Sequence, residues 1–245
     1  MLHSSIIIFL GDKMNSTKSM SYEEIIQILE ENADPDALVG MARAGITPEQ
    51  AYGVKIPILR KIAKKTGRNS ELAKKLWSKN TRETRILACM IEDPKTITEA
   101  QAEDWVKEFD YWEICDQCIM NLFDRTEFTV KKIYEWTQRE EEYVKRAGFA
   151  LIARVAWSNK TKSDEEILEF LPLIIREAND ERNIVKKAIN WALRQIGKRN
   201  LFLNKEAIKT AEEIMEMESK NAKWIASDAI RELTSEAILK RLNKQ

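Results

Sequence analysis

Two stretches of this chain place a tryptophan next to charged side chains at helical spacing. In the first, Trp112 and Asp116 are four residues apart and share one helix face, because residues i and i+4 are neighbours on a helix surface. The face of an indole ring and a carboxylate both attract positive charge. The pair therefore predicts a site for a planar, cationic ligand.

In the second stretch, cationic residues surround Trp191 on one stripe of a helix. Lys187, Trp191, Arg194 and Lys198 recur every three or four residues. The residues on the opposite face are apolar and predict the core side of the helix: Val185, Ile189, Ala192, Leu193 and Ile196. Trp191 is thus predicted to point away from the core, which gives up about 2 kcal/mol or more of burial. Cations around an exposed indole indicate a ligand that carries phosphate.

The composition narrows the fold class and the kind of partner. The 245 residues are 44% apolar and 33% charged, with only 7 Gly and 5 Pro, which predicts a folded, all-helical protein. Lysine plus arginine and aspartate plus glutamate are equal at 40 each. This balance argues against a protein that coats nucleic acid non-specifically, but it allows a basic face opposite an acidic one.

Histidine and cysteine usage excludes several classes of site. The single histidine, His3, rules out histidine-dependent triads and multi-histidine metal sites. The cysteines are Cys89, Cys115 and Cys118, without secretory context, which favours a reduced, cytoplasmic protein. A zinc or redox site at Cys115 and Cys118 would need a second such pair or a preceding strand. We therefore expect two small core residues there, and no metal or cofactor.

The N-terminal residues 1–20 are expected to be a disordered or mis-annotated tail. The apolar run Ile6–Leu10 is too short to span a membrane and lacks the basic flank of a signal peptide. Met14 and Met20 follow it as alternative start residues. Ser21 and Glu24 then have the spacing of a capping box, so the ordered chain is predicted to begin with a helix at this point.

Apolar periodicity and capping signals predict about a dozen or more helices and no strand. Asp34 with Pro35 begins a helix that Gly45 ends, and Thr47 with Pro48 begins a short one. Asp164–Glu177 is predicted to be one continuous helix. From Arg82 onward, helix pairs recur in units of about thirty to forty residues. Such units stack into an α-solenoid of the HEAT type with a concave surface, here as a single domain over residues 21–245.

The remaining tryptophans have no comparable charged setting in the sequence. We expect them to pack between helices: Trp77, Trp105, Trp136, Trp157 and Trp224.

Several of these segments together resemble a known family. The stretches that carry the resemblance are, in order, Tyr52–Arg60, Arg82–Ala88, Trp112 with Asp116, Lys145 with Arg146, and Lys187–Arg194. They are similar to the AlkD-like DNA alkylation repair proteins, which are HEAT-like-repeat DNA glycosylases that remove N3- and N7-alkylated purines. The resemblance covers roughly Ser21 to Leu233, and the segment around Trp191 is its most specific part. It implies an all-α solenoid whose concave face binds duplex DNA.

The resemblance also implies roles for the residues of the proposed active site. Asp116 would be the catalytic carboxylate, with Trp112 and Trp191 on either side of the nucleotide that carries the lesion. Arg146 matches the family's active-site arginine, which faces the DNA backbone near the lesion. Members of the family act on a lesion that remains exposed to solvent, so a deep pocket for the base is not expected.

On the same basis, Lys187 and Arg194 are assigned to phosphate contacts. Lys145, beside Arg146, and Lys198, on the basic stripe of Trp191, complete the expected DNA-binding set. The expected partner is duplex DNA with alkylated purines, bound by a monomer without a metal, a cofactor or a membrane.

Two other readings of the sequence stay open beside the glycosylase. One is a HEAT-like protein that binds damaged or branched DNA without breaking a glycosidic bond. The other is a solenoid scaffold for a protein partner. Each residue also has a structural reading: Asp116 as a surface acid, Trp112 as core, and Arg146 as an arginine that reaches the surface from a buried helix.

Overall fold

The computed structural model describes residues 19–244, so the tail at residues 1–18, with His3 and the apolar run, lies outside the described residues. The described chain forms fifteen α-helices, a short 3₁₀-helix at Phe123–Arg125 and no strand. The helices are α1 Tyr22–Glu31, α2 Pro35–Arg43, α3 Ile56–Thr66, α4 Ser70–Ser78, α5 Arg82–Ile91, α6 Glu99–Lys107, α7 Trp112–Asn121, α8 Thr129–Trp136, α9 Glu142–Ser158, α10 Asp164–Leu168, α11 Leu171–Glu177, α12 Asn183–Gly197, α13 Leu201–Met215, α14 Lys220–Leu233 and α15 Glu236–Leu242. Within this part of the chain, no helix is both long and apolar enough to cross a membrane.

Most helix boundaries follow the predicted signals. Ser21 and Glu24 form the capping box at the start of α1, and the Asp34 side chain caps α2. Gly45, with φ of 72°, follows the end of α2 in the left-handed conformation that glycine adopts without strain. The predictions at these three positions are confirmed.

Two predicted helices were wrong. Thr47 and Pro48 begin no helix, and residues 46–55 link α2 to α3. Part of this link is held instead by Glu83, whose carboxylate accepts backbone N–H groups from residues 52–54. The helix predicted over Asp164–Glu177 is divided into α10 and α11, because Pro172 has no N–H to donate to the carbonyl of Leu168.

Helices α9 and α12 lie at the centre of the molecule and pack against each other along their length. Twelve of the 17 residues of α9 are buried, including the basic side chains of Lys145 and Arg146. Gly148 allows α9 to approach the end of α8, since a Cβ at this position would lie 2.6 Å from the backbone nitrogen of Thr137. A continuous set of buried apolar side chains runs from Met20 to Leu233. This packing fixes the rotation of α9, and hence the direction of each of its charged side chains.

The cysteines differ from the prediction of a fully reduced protein. Cys89 of α5 and Cys118 of α7 form a disulfide, with 5.1 Å between their Cα atoms, while Cys115 is buried and free. The expectation that all three cysteines stay reduced was therefore wrong. The partner of Cys118 lies on another helix because α5 packs against α7, which the C-x-x-C spacing does not reveal.

The tryptophans predicted to pack between helices fall into two groups. Trp77 and Trp105 are buried and stack with 4.2 Å between ring centroids, and Trp136 is fully buried. Trp157 and Trp224 are 57% and 41% exposed, so the prediction was wrong for both. Each lies instead beside a cation, which the sequence spacing alone did not indicate.

Candidate functional site

An open cleft of about 550 Å³ lies where α7, α9 and α12 meet the turn that follows α2. The side chains of Trp112, Asp116, Arg146 and Trp191 all line this cleft. They come from three helices and are separated by up to 79 positions in the chain. The structure thus brings together the four residues that the sequence analysis assigned to one site. We call this the lesion cleft, after the expectation that Trp112 and Trp191 lie on either side of the nucleotide that carries the lesion.

Asp116 and Arg146 form an ion pair at the wall of the lesion cleft. The guanidinium Nη2 of Arg146 donates to both carboxylate oxygens, at 2.8 and 3.0 Å, and its Nε donates to Oδ1 at 3.1 Å. Its Nη1 donates to the carbonyl of Ile184, at 2.9 Å, in the first turn of α12. The Arg146 side chain is 8% exposed and that of Asp116 is 14% exposed. The carboxylate is therefore held rigidly, with its remaining exposed area facing the cleft.

Arg146 therefore differs from the expectation that it faces a DNA backbone. All three of its guanidinium nitrogens donate within the protein, and the side chain is buried by the packing of α9. The structure supports a positioning role, in which Arg146 fixes the orientation of Asp116.

The two charges of the pair affect each other's pKa. Burial raises the pKa of Asp116, while the nearby charge and hydrogen bonds of Arg146 oppose that rise. Burial lowers the pKa of Arg146, but the attraction and hydrogen bonds of Asp116, together with Cys115 and Tyr143 nearby, outweigh burial and leave the pKa raised. Since arginine stays protonated at any ordinary pH, its partner at neutral pH is the carboxylate form of Asp116.

The two indoles of the lesion cleft are both half-buried, but they are held differently. Trp112 donates its Nε1 hydrogen to the carbonyl of Ala44 at 2.9 Å, and its ring edge lies against Gly45. Trp191 packs partly on the core and lines both the lesion cleft and a second cleft further along α9. Trp191 is therefore at the surface, as predicted, with part of its ring in contact with the core.

Two exposed cations lie at the lesion cleft. Lys187 stands one turn before Trp191 on α12, and Arg43 is the last residue of α2. Neither forms an ion pair with a described residue, so both charges are open to solvent and to an anionic ligand. Lys187 was predicted. Arg43 was missed, since no motif separates it from other exposed arginines and its place depends on the fold of residues 34–55.

The other three cations assigned to DNA binding do not line this cleft. Lys145 is buried and its Nζ lies 2.6 Å from Glu177, because adjacent residues on α9 point about 100° apart and Arg146 takes the cleft side. Arg194 pairs with Glu232 and Asp228, and Lys198 lies 2.7 Å from Glu232. Carboxylates of the protein thus already occupy the charges that were predicted to contact phosphates.

A buried charge cluster fixes the wall of the lesion cleft that Ala44 and Gly45 form. Arg82 donates to Glu113 at 2.6 and 2.7 Å and to Glu83 at 2.9 Å. Glu83 in turn accepts the backbone N–H of Gly53 at 3.0 Å. At Gly53, φ is 80° and a Cβ would lie 2.1 Å from the carbonyl oxygen of Asp34, so no other residue fits. The segments around Tyr52 and Arg82 thus anchor the first helices to α5 and α7.

A second aspartate–arginine pair lies eight residues further along the same two segments. Arg154 of α9 donates to Oδ2 of Asp124 at 2.8 and 3.1 Å. Its guanidinium carbon also lies 5.0 Å from the ring centroid of Trp157. Residues 19–244 contain no group of three or more histidine, cysteine, aspartate or glutamate side chains placed to hold a metal ion.

Comparison with known proteins bears on this arrangement. A family model described as "DNA alkylation repair enzyme" matches residues 25–233. A solved structure is similar in fold, with a TM-score of 0.73 and 19% sequence identity, over 87% of this chain and 95% of the other. That structure is described as "a new family of proteins related to the HEAT-like repeat DNA glycosylases with affinity for branched DNA structures". The all-helical, HEAT-like α-solenoid is thereby confirmed. No curated protein sequence matches the chain.

Proposed function

We propose, from the premise that the chain belongs to the DNA alkylation repair enzyme family, that it removes N3- and N7-alkylated purines from duplex DNA. The reaction would hydrolyse the N-glycosidic bond. The observation that carries the proposal is the carboxylate of Asp116, fixed by Arg146 on the wall of a cleft between Trp112 and Trp191.

The proposed chemistry needs little acid catalysis on the base. Alkylation at N7 or N3 makes the purine cationic and hence a good leaving group. As the bond between C1′ and the base nitrogen N9 breaks, its electron pair goes to the purine and positive charge develops on the deoxyribose. A preorganised carboxylate stabilises that charge and orients water toward C1′. The water forms the new C–O bond, and its proton passes to Asp116 or to solvent.

The other residues of the lesion cleft bind the DNA and position the lesion. The indoles of Trp112 and Trp191 favour the cationic base and sugar by about 0.5–2 kcal/mol per contact. Lys187 and Arg43 both line the cleft, where exposed cations can contact phosphates near the lesion. Among the described residues, Asp116 is the only acidic one that lines the cleft, so the field that these residues create around a bound backbone is otherwise positive.

A second candidate function is DNA binding without base excision. It is favoured by the similar solved structure, whose description emphasises affinity for branched DNA. It is also compatible with the complete engagement of Asp116 by Arg146, because both carboxylate oxygens already accept hydrogen bonds.

Release of base from a duplex that contains one 7-methylguanine distinguishes the two functions. We expect the wild-type protein to release it under single-turnover conditions, and Asp116→Asn to lower the rate by about 10²–10³, the usual effect of losing one electrostatic contact to a transition state. Affinity for the same duplex should change only a few-fold.

Asp124→Asn is the matched control, since it removes the same charge from the second aspartate–arginine pair. It should retain release within tenfold of the wild-type rate. If the wild type at saturating concentration leaves both 7-methylguanine and 3-methyladenine in place, the excision proposal fails, and affinity for branched DNA then tests the binding function.

A further inference from the structure

A second cleft, of about 190 Å³, continues from the lesion cleft along the groove between α9 and α12. Its walls are the indoles of Trp191 and Trp157, with Arg154 and Gln195 beside them. Trp191 is shared with the lesion cleft, so the two spaces adjoin at one ring. We call this second space the indole cleft.

Trp157 is exposed without a structural reason in the packing. It is 57% exposed, the most of any large apolar side chain among the described residues. Leaving an indole in water forgoes burial that the neighbouring apolar core offers. The guanidinium of Arg154 lies beside its ring, 5.0 Å from the centroid, and Asp124 holds that guanidinium in place. An exposed aromatic ring whose position is fixed in this way is suited to stacking.

Beyond Trp157, the groove becomes basic. A smaller space is lined by Trp157 together with Lys160, Lys198, Arg199 and Arg241. Lys160 and Arg241 are exposed and form no ion pair with a described residue. Within residues 19–244, no carboxylate lines this space or the indole cleft. Lys198 is paired with Glu232 and Arg199 lies 3.8 Å from Asp164, so it is the open charges of Lys160 and Arg241 that complement a polyanion.

Cations that follow a row of exposed aromatic rings are the common design of surfaces that bind single-stranded nucleic acid, where each base stacks on a ring and the groove follows the backbone. Within a paired duplex the base faces are covered by their neighbours and cannot reach such a ring. The indole cleft therefore fits an unpaired base better than it fits a duplex segment.

We propose that the indole cleft binds an unpaired nucleotide of the DNA strand that passes through the lesion cleft. Its base stacks on Trp157, and Lys160 and Arg241 contact the phosphates that follow. The inference rests on the proposed function only in taking DNA as the ligand. It adds a binding preference for DNA with unpaired nucleotides beside the bound segment. Excision itself does not require this preference.

The spacing of the two clefts sets where that nucleotide lies. Arg146 and Arg154 are eight residues apart on α9, which is about 12 Å at 1.5 Å per residue. Stacked bases on one strand are about 3.4 Å apart, so this distance spans three to four base steps. An extended single strand covers it in fewer. The unpaired nucleotide is thus expected within four positions of the lesion.

The test compares two undamaged probes of the same sequence, a full duplex and a duplex with a gap that leaves four nucleotides unpaired in one strand. Affinity is measured by fluorescence anisotropy. We expect Trp157→Ala to weaken binding to the gapped probe by about five- to a hundredfold, the range for loss of one base–aromatic stack. Binding to the full duplex should change less than twofold.

Trp224→Ala is the matched control, because Trp224 is also exposed and beside a cation, Lys186, but lines neither cleft. It should bind both probes as the wild type does. Lys160→Glu should weaken binding to the gapped probe more than binding to the full duplex. Lys223→Glu, on the exposed side of α14, should not. These substitutions are at exposed positions, and circular dichroism melts verify that the variants remain folded.

The proposal is overturned if Trp157→Ala binds the gapped probe like the wild type, if it weakens both probes equally, or if Trp224→Ala has the same effect. Because the probes carry no alkylated base, the result is independent of excision. A selective Trp157 effect with no release of 7-methylguanine would retain the indole cleft and reject the glycosylase. Release of 7-methylguanine without a Trp157 effect would retain the glycosylase and reject the indole cleft.

Discussion

Asp116 with Arg146 and Asp124 with Arg154 connect the same two segments of the chain, yet they present opposite charges to solvent. Each pair is 30 residues apart in sequence, and each has an indole beside it. In the first pair the aspartate side chain is 14% exposed and the arginine 8%, whereas in the second the aspartate is 2% exposed and the arginine 15%. Both members of the first pair line the lesion cleft, with the aspartate the more exposed of the two, whereas only Arg154 of the second pair lines the indole cleft.

This difference shows how one structural unit can serve two purposes. A carboxylate held by a buried guanidinium presents negative charge, which suits a developing sugar cation. A guanidinium held by a buried carboxylate presents positive charge and supports a stacking ring, which suits a base and its phosphate. The rotation of α9, set by its core packing, decides which partner faces outward.

The largest expected effect is on the free energy of unfolding. Removal of the arginine should destabilise the protein more in the first pair than in the second. Arg146→Ala leaves Asp116 buried with no other cation within ion-pair distance among the described residues, and should cost about 3–5 kcal/mol of unfolding free energy. Arg154→Ala should cost only about 1–3 kcal/mol, because Nε of Arg125 remains 3.5 Å from Asp124. Urea unfolding followed by circular dichroism measures both, and equal losses would refute the distinction.

A second prediction uses pH to isolate the first pair. Burial raises the pKa of Asp116 and Arg146 opposes the rise, so the carboxylate that the proposed reaction requires is present above that pKa and is lost as pH falls through it. Release of 7-methylguanine, corrected for spontaneous loss, should therefore decline at higher pH than an ordinary aspartate, with a pKa of about 3.9, would give.

Two variants sharpen this pH profile. Arg146→Lys keeps the positive charge but loses the two-point contact with the Asp116 carboxylate. The fall in the rate of release at low pH, the acid limb of the profile, should therefore move to still higher pH. Asp124→Asn, in the second pair, should leave the limb where it is in the wild type. If the pH profiles of Arg146→Lys and the wild type superimpose, the fall in rate at low pH is caused by protonation of a group other than Asp116.

The smallest expected effect separates open cations from paired ones. Lys187→Gln removes an exposed charge at the lesion cleft, and should reduce the slope of log affinity against log salt concentration by about 1. Lys198→Gln should leave the slope nearly unchanged, because Glu232 lies 2.7 Å from the Lys198 ammonium. The measurement is duplex binding across a salt series. Equal changes in slope would mean that the ion pair opens on DNA and that Lys198 contacts phosphate after all.

The sequence was sufficient where local spacing determines position. Trp112 and Asp116 share a face because they are one turn apart, and Trp191 faces away from the apolar side of α12 for the same reason. Capping residues likewise marked the starts of α1 and α2. Each of these predictions needed only a few neighbouring residues.

Contacts between distant segments could not be predicted in this way. Lys145 and Arg146 are adjacent and both basic, and only the packing of α9 shows that one meets Glu177 while the other meets Asp116. Arg194 finds its partner Glu232 on α14, 38 residues later. Trp157 is 57% exposed although it lies near the end of the largely buried helix α9, and no pattern within α9 indicates this exposure.

Helix α2 has a further consequence for the protein in solution, since it buries none of its nine residues. It is fixed mainly at its ends, where the backbone N–H of Asp34 donates to Tyr52 and the Ala44 carbonyl accepts from Trp112. A segment with so little buried surface opens at low free energy, so its amide hydrogens should exchange with deuterium well before those of α9. DNA that contacts Arg43 would slow this exchange. The exchange rate of the α2 amides would then measure the occupancy of the lesion cleft without a fluorophore or other attached probe.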